Sequence, residues 1–396
     1  MLSEKSTAVV RATLPAIGAA IGDITPVFYR RMFAAHPELL RDLFNRGNQA
    51  NGTQSRALAG SIAVFATMLL EHPDRRPDAM LARIAHKHAA LGITADQYTI
   101  VHRHLFDAIA EVLGEAVTPE VAEAWDEVYW LMAGALIAME ARLYAASGLG
   151  DGDVWRPWKV VGRTEETAEV ATFVLRPADD GPVPPFRPGQ YVSVQVALPD
   201  GARQIRQYSL SCAPDGDDRR ISVKRVGGDP AGEVSNRLHE NVREGDVLTV
   251  GAPFGDVALD DGDDPVLLAS AGIGCTPMVS MLAHLAATGS PRRTTVVHGD
   301  RTESSHAFRE QTEQLTAKLP DAALHVWYER PEGEWPAERT GLVDLSGVEI
   351  PEGVRAYLCG PVPFMRSVRT QLLERGVPAS RIHYESFGPD LGLDVG

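Results

Sequence analysis

Three groups of residues in this chain have types and spacings that can do chemistry. The first is Ala271-Gly272-Ile273-Gly274-Cys275-Thr276-Pro277, between a short apolar run and a helical one. Two glycines let the backbone approach an anion, and the helix behind them offers unpaired N–H groups and the positive end of its dipole. Pro277 replaces the third glycine of a Gly-x-Gly-x-x-Gly fingerprint, at a position where proline suits a first helical turn. Taken alone, this pattern is equally that of a plain tight turn. The second group is Arg206, Gln207, Tyr208 and Ser209 on an alternating segment, with Arg187 to Tyr191 before it and Lys224 and Arg225 after it. Gly232-Glu233-Val234-Ser235-Asn236 follows as the mouth of a short helix. An arginine with a helix N-terminus can hold a pyrophosphate, and a nearby tyrosine and serine can face a flat polar ring. The plainer alternative is a half-exposed strand whose tyrosines pack a barrel.

The third group is histidine-rich. Six of the twelve histidines fall in the first 147 residues: His36, His72, His86, His88, His102 and His104. His86 and His88 lie about 200° apart around a helix and cannot share a face. Leu81, Ile84, His88 and Leu91 form an apolar stripe, with His86 off it beside Lys87. A histidine on such a stripe is more often packed in a core than bound to a metal, so spacing leaves both readings open. No His-Glu-x-x-His is present, and the other histidines share no metal-ligand spacing.

The elements that must position these groups come in three styles. Residues 1–147 are helical almost throughout. Thr25-Pro26 reads as a cap and first-turn proline opening a helix, Pro37 starts a short one, 45–53 is loop, and helices follow at 55–70 and 77–91. Thr94 to Gln97 is a capping box for a helix to Leu113, and Thr118-Pro119 opens the last, to about Ala146. A glycine-rich acidic linker, 148–153, leads to period-two segments at 171–175, 191–196, 205–210 and 221–226, an antiparallel barrel domain over 153–259. After a second acidic break at 260–264, strands at 266–269, 295–298, 324–327 and 356–358 alternate with helices, one of them from Pro277. This predicts a doubly wound α/β domain over 263–396.

Composition narrows the function. The 396 residues are 44% apolar and 23% charged, with a net charge of −15. An acidic chain without a basic block argues against nucleic-acid and anionic-membrane binding. The longest apolar run, Tyr129 to Met139, is short of the ~18 residues of a membrane span. Cys212, Cys275 and Cys359 lie far apart, so a reducing, cytoplasmic setting is expected.

The order of the motifs resembles the ferredoxin-reductase superfamily: Arg206-x-Tyr208-Ser209, Gly232-x-Val234-Ser235-Asn236, Gly272-x-Gly274-x-Thr276-Pro277 and Tyr357-Leu358-Cys359-Gly360-Pro361. Upstream, Phe28-Tyr29-Arg30-Arg31-Met32-Phe33, Leu43 to Gln49, Asn51-Gly52-Thr53-Gln54 and Ala85-His86-Lys87-His88 resemble the globin half of the flavohaemoglobins. Almost the whole chain is therefore similar to that family, whose members are nitric oxide dioxygenases with haem b, FAD and NADH or NADPH.

The resemblance implies roles. His88 is the iron ligand, with Tyr98 and Glu140 behind it. Tyr29 and Gln54 are the distal polar pair, Phe44 and Leu58 the apolar distal contacts, and Lys87 a further haem-side residue. Tyr191, Arg206, Gln207, Tyr208, Ser209, Lys224, Gly232, Val234, Ser235 and Asn236 hold FAD. Gly272, Gly274, Thr276, Pro277, Cys359, Gly360 and Pro361 serve the nucleotide, and Glu385, Phe387, Gly388 and Pro389 form a tail closing over the flavin. Cys275, Arg237, Pro363 and Ser386 stand where the family commonly has glutamine, tryptophan, glycine and cysteine. Arg301 is placed either to meet a 2′-phosphate or to sit in solvent, and Cys359 either to touch nicotinamide or to be a buried thiol. The implied reaction converts NO and O2 to nitrate without an obligate protein partner. Competing readings are a globin-coupled redox or O2 sensor and an NAD(P)H-flavin reductase for hydroperoxides or ferric iron.

Overall fold

The computed structural model describes residues 2–50, 52–74 and 76–388, leaving aside the side chains of 53–57 and 59. Contacts divide the chain into two units. One comprises residues 1–155 together with 195–206, and the other comprises the rest of the described chain.

The helices of the first unit are α1 (Glu4–Ala35), α2 (Pro37–Asp42), α3 (Arg46–Ala50), α4 (Thr53–Glu71), α5 (Asp78–Ala89), α6 (Ala95–Leu113) and α7 (Pro119–Ala146). Two starts follow local sequence. The Gln97 side chain accepts the Thr94 N–H at 3.0 Å, and Thr118 accepts from Val121 N–H ahead of Pro119. Two expectations fail. Pro26 does not open a helix; it lies inside the continuous α1. Proline removes one ladder bond, but Ile24, Thr25, Phe28, Tyr29 and Met32 are buried around it, and this packing carries the helix through. The segment expected as loop at 45–53 contains the short α3.

By length and composition α1 also passes for a membrane span. Its residues Val10, Ile17, Ile24, Phe28 and Met32 are buried in the helical cores, while 17% of the 18-residue apolar window as a whole is buried.

In the second style of chain, β1 (Trp155–Thr167), β2 (Val170–Pro177), β3 (Tyr191–Ala197), β4 (Arg203–Ser209), β5 (Arg219–Lys224) and β6 (Val247–Gly251) form one sheet, with α8 (Glu233–Asn241) before β6. The order is β4-β3-β6-β1-β2-β5, and β1–β2 and β2–β5 are antiparallel. An antiparallel bridge between Leu210 and Ile221 joins the two edges, as a barrel requires.

The last part alternates β7 (Val266–Ala271), α9 (Cys275–Ala287), β8 (Thr294–Asp300), α10 (Arg309–Ala317), β9 (Ala322–Tyr328), β10 (Arg355–Cys359), α11 (Val362–Glu374) and β11 (Ile382–Glu385). The strands are parallel in the order β11-β10-β7-β8-β9. Val266, Leu267, Leu268 and Ala269 are all fully buried, the run expected of a parallel strand covered on both faces. The expected helix at Pro277 starts two residues earlier, at Cys275, after a 3-10 turn over Gly272–Gly274.

Candidate functional site

Three helices of the first unit converge on one imidazole. His88, at the end of α5, directs Nδ1 to Tyr98 of α6 and to Glu140 of α7, each at 2.9 Å, and the Tyr98 hydroxyl donates to the same Glu140 Oε1 at 2.5 Å. Glu140 is only 3% exposed. Burial, then the Glu140 charge, pushes the Tyr98 hydroxyl far above its ordinary pKa, so it stays a donor. Tyr129 adds a bond from its hydroxyl to the Tyr98 carbonyl at 2.6 Å. A carboxylate that accepts a hydrogen bond from Nδ1–H fixes the tautomer and leaves the lone pair on Nε2, which has no hydrogen-bond partner among the described residues.

These residues fit a haem. The His88 side chain is 34% exposed while its Nδ1 is held, and no group of three or more His, Cys, Asp or Glu side chains that could hold a metal ion by themselves occurs among the described residues. One protein ligand is what a haem iron needs.

A second cluster lies on α1 and the turn after α2. The Tyr29 ring stacks on Phe33 at 5.5 Å and meets Phe44 edge-on at 5.9 Å, and Phe33 meets Phe44 at 5.3 Å. Leu58 packs into the same cluster, which shares Ile62 and Tyr129 with the core around Tyr98. Lys87 is half-buried. Asn51, Pro389 and the side chain of Gln54 lie outside the described residues.

On the barrel, Ser209 Oγ is buried without a hydrogen-bond partner among the described residues, an acceptor-donor group left for something else to satisfy. Arg206, three residues earlier, places Nη1 2.7 Å from the Ile205 carbonyl. The mouth of α8 is tightly built. A Cβ on Gly232 would come within 2.6 Å of Ser235 Oγ and 2.8 Å of Val226 Cβ. Ser235 Oγ accepts from Val226 N–H, and Asn236 Nδ2 donates to the Val226 and Gly232 carbonyls at 2.9 Å. Val234 is buried beneath, Tyr191 is buried against Gly255, and Gln207 and Tyr208 are half-buried. An orphaned serine hydroxyl, an arginine and a glycine-based helix mouth fit a flavin nucleotide.

Lys224 instead approaches Glu169, at 3.5 Å, and Arg301 meets the same carboxylate at 2.6 Å. The arginine's hydrogen bond is the main cause that holds the Glu169 pKa low. Neither Glu169 nor Tyr129 carries a sequence signal, because each acts through a partner distant in the chain. Arg301, Arg330, Thr302, Ser304 and Thr167 line a cavity of ≈ 270 Å³ with Glu169.

The nucleotide loop sits where the sheet order reverses. β7 and β10 are neighbours although their helices lead to opposite sides, and the crevice beyond their carboxyl ends is where such sheets bind ligands. Gly272 has φ +51, and Gly274 packs on the Cys359 carbonyl with its Cβ position 2.8 Å from Gly360 N. Thr276 and Pro277 are buried in the first turn of α9, and Pro361 precedes α11. Cys359 is 1% exposed and in register with Glu385 on β11; burial, then that charge, raises its pKa well above the usual thiol value. It is a buried thiol. Glu385 is buried, Phe387 exposed, and Gly388 has φ +123.

A single imidazole backed by a buried acid, followed by a barrel and a doubly wound sheet with a nucleotide loop, defines a globin-linked electron-transfer oxidoreductase. The Globin family matches residues 27–136, and the Oxidoreductase NAD-binding domain family matches 268–370. Flavohemoprotein of Bordetella pertussis is 46% identical over 98% of this chain and 99% of its own, and that of Chromobacterium violaceum 42% identical over the whole of both. The solved flavohemoglobin of Malassezia yamatoensis, with bound FAD and heme, superposes with a TM-score of 0.90 at 40% identity, covering 98% of this chain and 100% of its own. The FAD/NAD-binding domain of nitric oxide dioxygenase from Vibrio cholerae covers 59% of this chain and 99% of its own, at 42% identity and a TM-score of 0.55. The chain belongs to the flavohemoproteins.

Proposed function

We propose that this flavohemoprotein is an NAD(P)H-dependent nitric oxide dioxygenase that removes NO in a cytoplasmic setting. Bound haem supplies the iron at which NO and O2 combine to nitrate, FAD the passage from hydride to single electrons, and NAD(P)H the hydride. Each nitrate takes one NO, one O2 and one electron, so one hydride serves two turnovers. The observation that carries the reading is the His88–Tyr98–Glu140 triangle.

Glu140 keeps the proton of His88 Nδ1 on that nitrogen, and its buried charge makes Nε2 a stronger donor to iron. That electron push suits oxygen chemistry more than reversible storage. Tyr98 orients both partners. Tyr29 sits among Phe28, Phe33 and Phe44, apolar surroundings in which a hydroxyl donor to developing negative charge contributes about 1.5–3 kcal/mol. Ser209 and Arg206 orient the flavin nucleotide, the bare backbone at Gly272 admits the pyridine nucleotide, and Gly274 lets the loop seat closely on Cys359 and Gly360. The pairing of Arg301 with Glu169 leaves it balanced by a carboxylate, and the free cysteines agree with a reducing compartment.

His88→Ala tests the reading. Haem content and NADH-dependent NO removal should be lost while FAD content and flavin reduction persist. NO removal that survives without haem would mark the protein as a flavin reductase for other acceptors.

A further inference from the structure

Gln204 lies on β4, two residues before Arg206, and is fully buried. A buried primary amide needs both its donors and its acceptor satisfied. Nε2 donates toward the carbonyls of Leu40 at 3.3 Å, Arg41 at 3.0 Å and Phe44 at 3.2 Å. Oε1 accepts from the Arg46 backbone N–H at 3.2 Å and from Arg206 Nη1 at 3.3 Å. Carbonyls around one end and N–H donors around the other leave only one orientation of the amide that satisfies both. All of these residues belong to the first unit.

The partners explain why the amide matters. α2 has six residues, and the last carbonyls of any helix must find donors outside it. Gln204 supplies donors to Leu40 and Arg41, then bonds Phe44 and Arg46 on the two sides of the turn into α3. Two ion pairs flank it. Arg46–Asp200, at 2.6 Å, has Asp200 more than half exposed, and such a surface pair holds little. Asp42, largely buried at the end of α2, accepts from Arg203 Nη2 and the Arg203 backbone N–H, both at 3.1 Å, and so ties the same strand to α2. Beyond α2, the buried amide reaches both sides of the turn that carries Phe44, whose ring meets Tyr29 and Phe33.

We propose that Gln204 is a positioning residue for electron delivery: one side chain fixes the haem-wall turn bearing Phe44 to the strand bearing Arg206. The passage of an electron from reduced flavin to ferric haem iron then depends on this fastening, because electron transfer weakens steeply as donor and acceptor placement loosens. The inference rests on the reading of His88 and Arg206 as haem and flavin residues.

The test uses the full chain loaded with haem and FAD, as wild type, Gln204→Leu, Gln204→Glu and, as a control for the rim pairs, Asp200→Asn. Hydrogen exchange of the amides at 43–46 is measured beside anaerobic rapid mixing with NADH, with flavin and haem followed at separate wavelengths. Gln204→Leu should speed exchange at 43–46 by about tenfold or more, since those amides would open locally, with α6 unchanged. It should leave flavin reduction as in wild type and slow haem reduction severalfold. Gln204→Glu keeps an acceptor for Arg46 and Arg206 but no donor for the carbonyls, so the Arg46 amide should stay protected while haem reduction still slows. Asp200→Asn should match wild type. Unchanged exchange in both Gln204 variants, or faster exchange with haem reduction at the wild-type rate, would overturn the proposal. A wild type whose haem stays oxidised under NADH would instead refute the proposed function, and the exchange measurement would still report on the fastening.

Discussion

Replacing Glu140 by glutamine should raise the haem midpoint potential. The carboxylate is 3% exposed and its Oε1 receives both the His88 Nδ1 proton and the Tyr98 hydroxyl. Glutamine keeps the shape and an acceptor oxygen but removes the charge. A hydrogen bond to a charged group contributes about 1.5–3 kcal/mol and a neutral one about 0.5–1.5, so the imidazole loses on the order of 1–1.5 kcal/mol of electron push. That push favours the more positive iron, so its loss favours the reduced state. For a one-electron couple, where a tenfold change is about 59 mV, the potential should rise by roughly 40–65 mV. Spectroelectrochemical titration of the haem bands reads this directly, with the flavin potential as an internal reference that should not move. A haem potential that stays put or falls would refute the argument that Glu140 acts through His88.

Tyr29→Phe should speed O2 release from the reduced protein by about one to two decades, the equivalent of the 1.5–3 kcal/mol hydrogen bond; flash photolysis measures it, and an unchanged rate would remove Tyr29 from the distal site. Gly274→Ala puts a Cβ 2.8 Å from Gly360 N, an overpacking that costs about 1–3 kcal/mol. The KM for NADH should rise and flavin reduction slow, while O2 binding at the haem is unaffected; wild-type flavin reduction would deny that the loop serves the nucleotide. His306 is buried, stacked on His298 at 4.0 Å and bonded to Tyr328. Burial first, then His298, lowers its pKa to about 2. The unfolded chain takes up a proton below about pH 6.5 that the fold refuses, so this contribution is intact above that pH and falls by about 1.4 kcal/mol per unit beneath it. His306→Gln should flatten the denaturation-derived stability slope between about pH 6 and 4 by one proton; equal slopes would contradict the burial argument.

What the sequence made legible were features written in short stretches. Thr94 with Gln97, and Thr118 with Pro119, open helices because their partners are three residues away or fewer. The glycines at 272 and 274 and the order of the reductase motifs are equally local. Pro26 misled because its penalty is local while the burial that overrides it comes from other helices. The short α3 was missed because its turn is fastened by Gln204 from far along the chain. β1, β6 and β11 were missed as well: β1 begins with Trp155-Arg156-Pro157 and shows no clean alternation, and β6 and β11 have only five and four residues. The candidate site divides the same way. His88, Tyr98 and Glu140 came from resemblance, since Glu140 lies 52 residues from His88. Gln204, on an alternating strand, gives no sequence sign of being fully buried.

The central claim is tested most directly by reducing the loaded protein anaerobically with NADH, then admitting a limited pulse of O2 and NO while nitrate is counted. Haem reduction following flavin reduction, then one nitrate for each NO lost, is the predicted result. Flavin reduction with the haem left oxidised, or NO loss without matching nitrate, would contradict it.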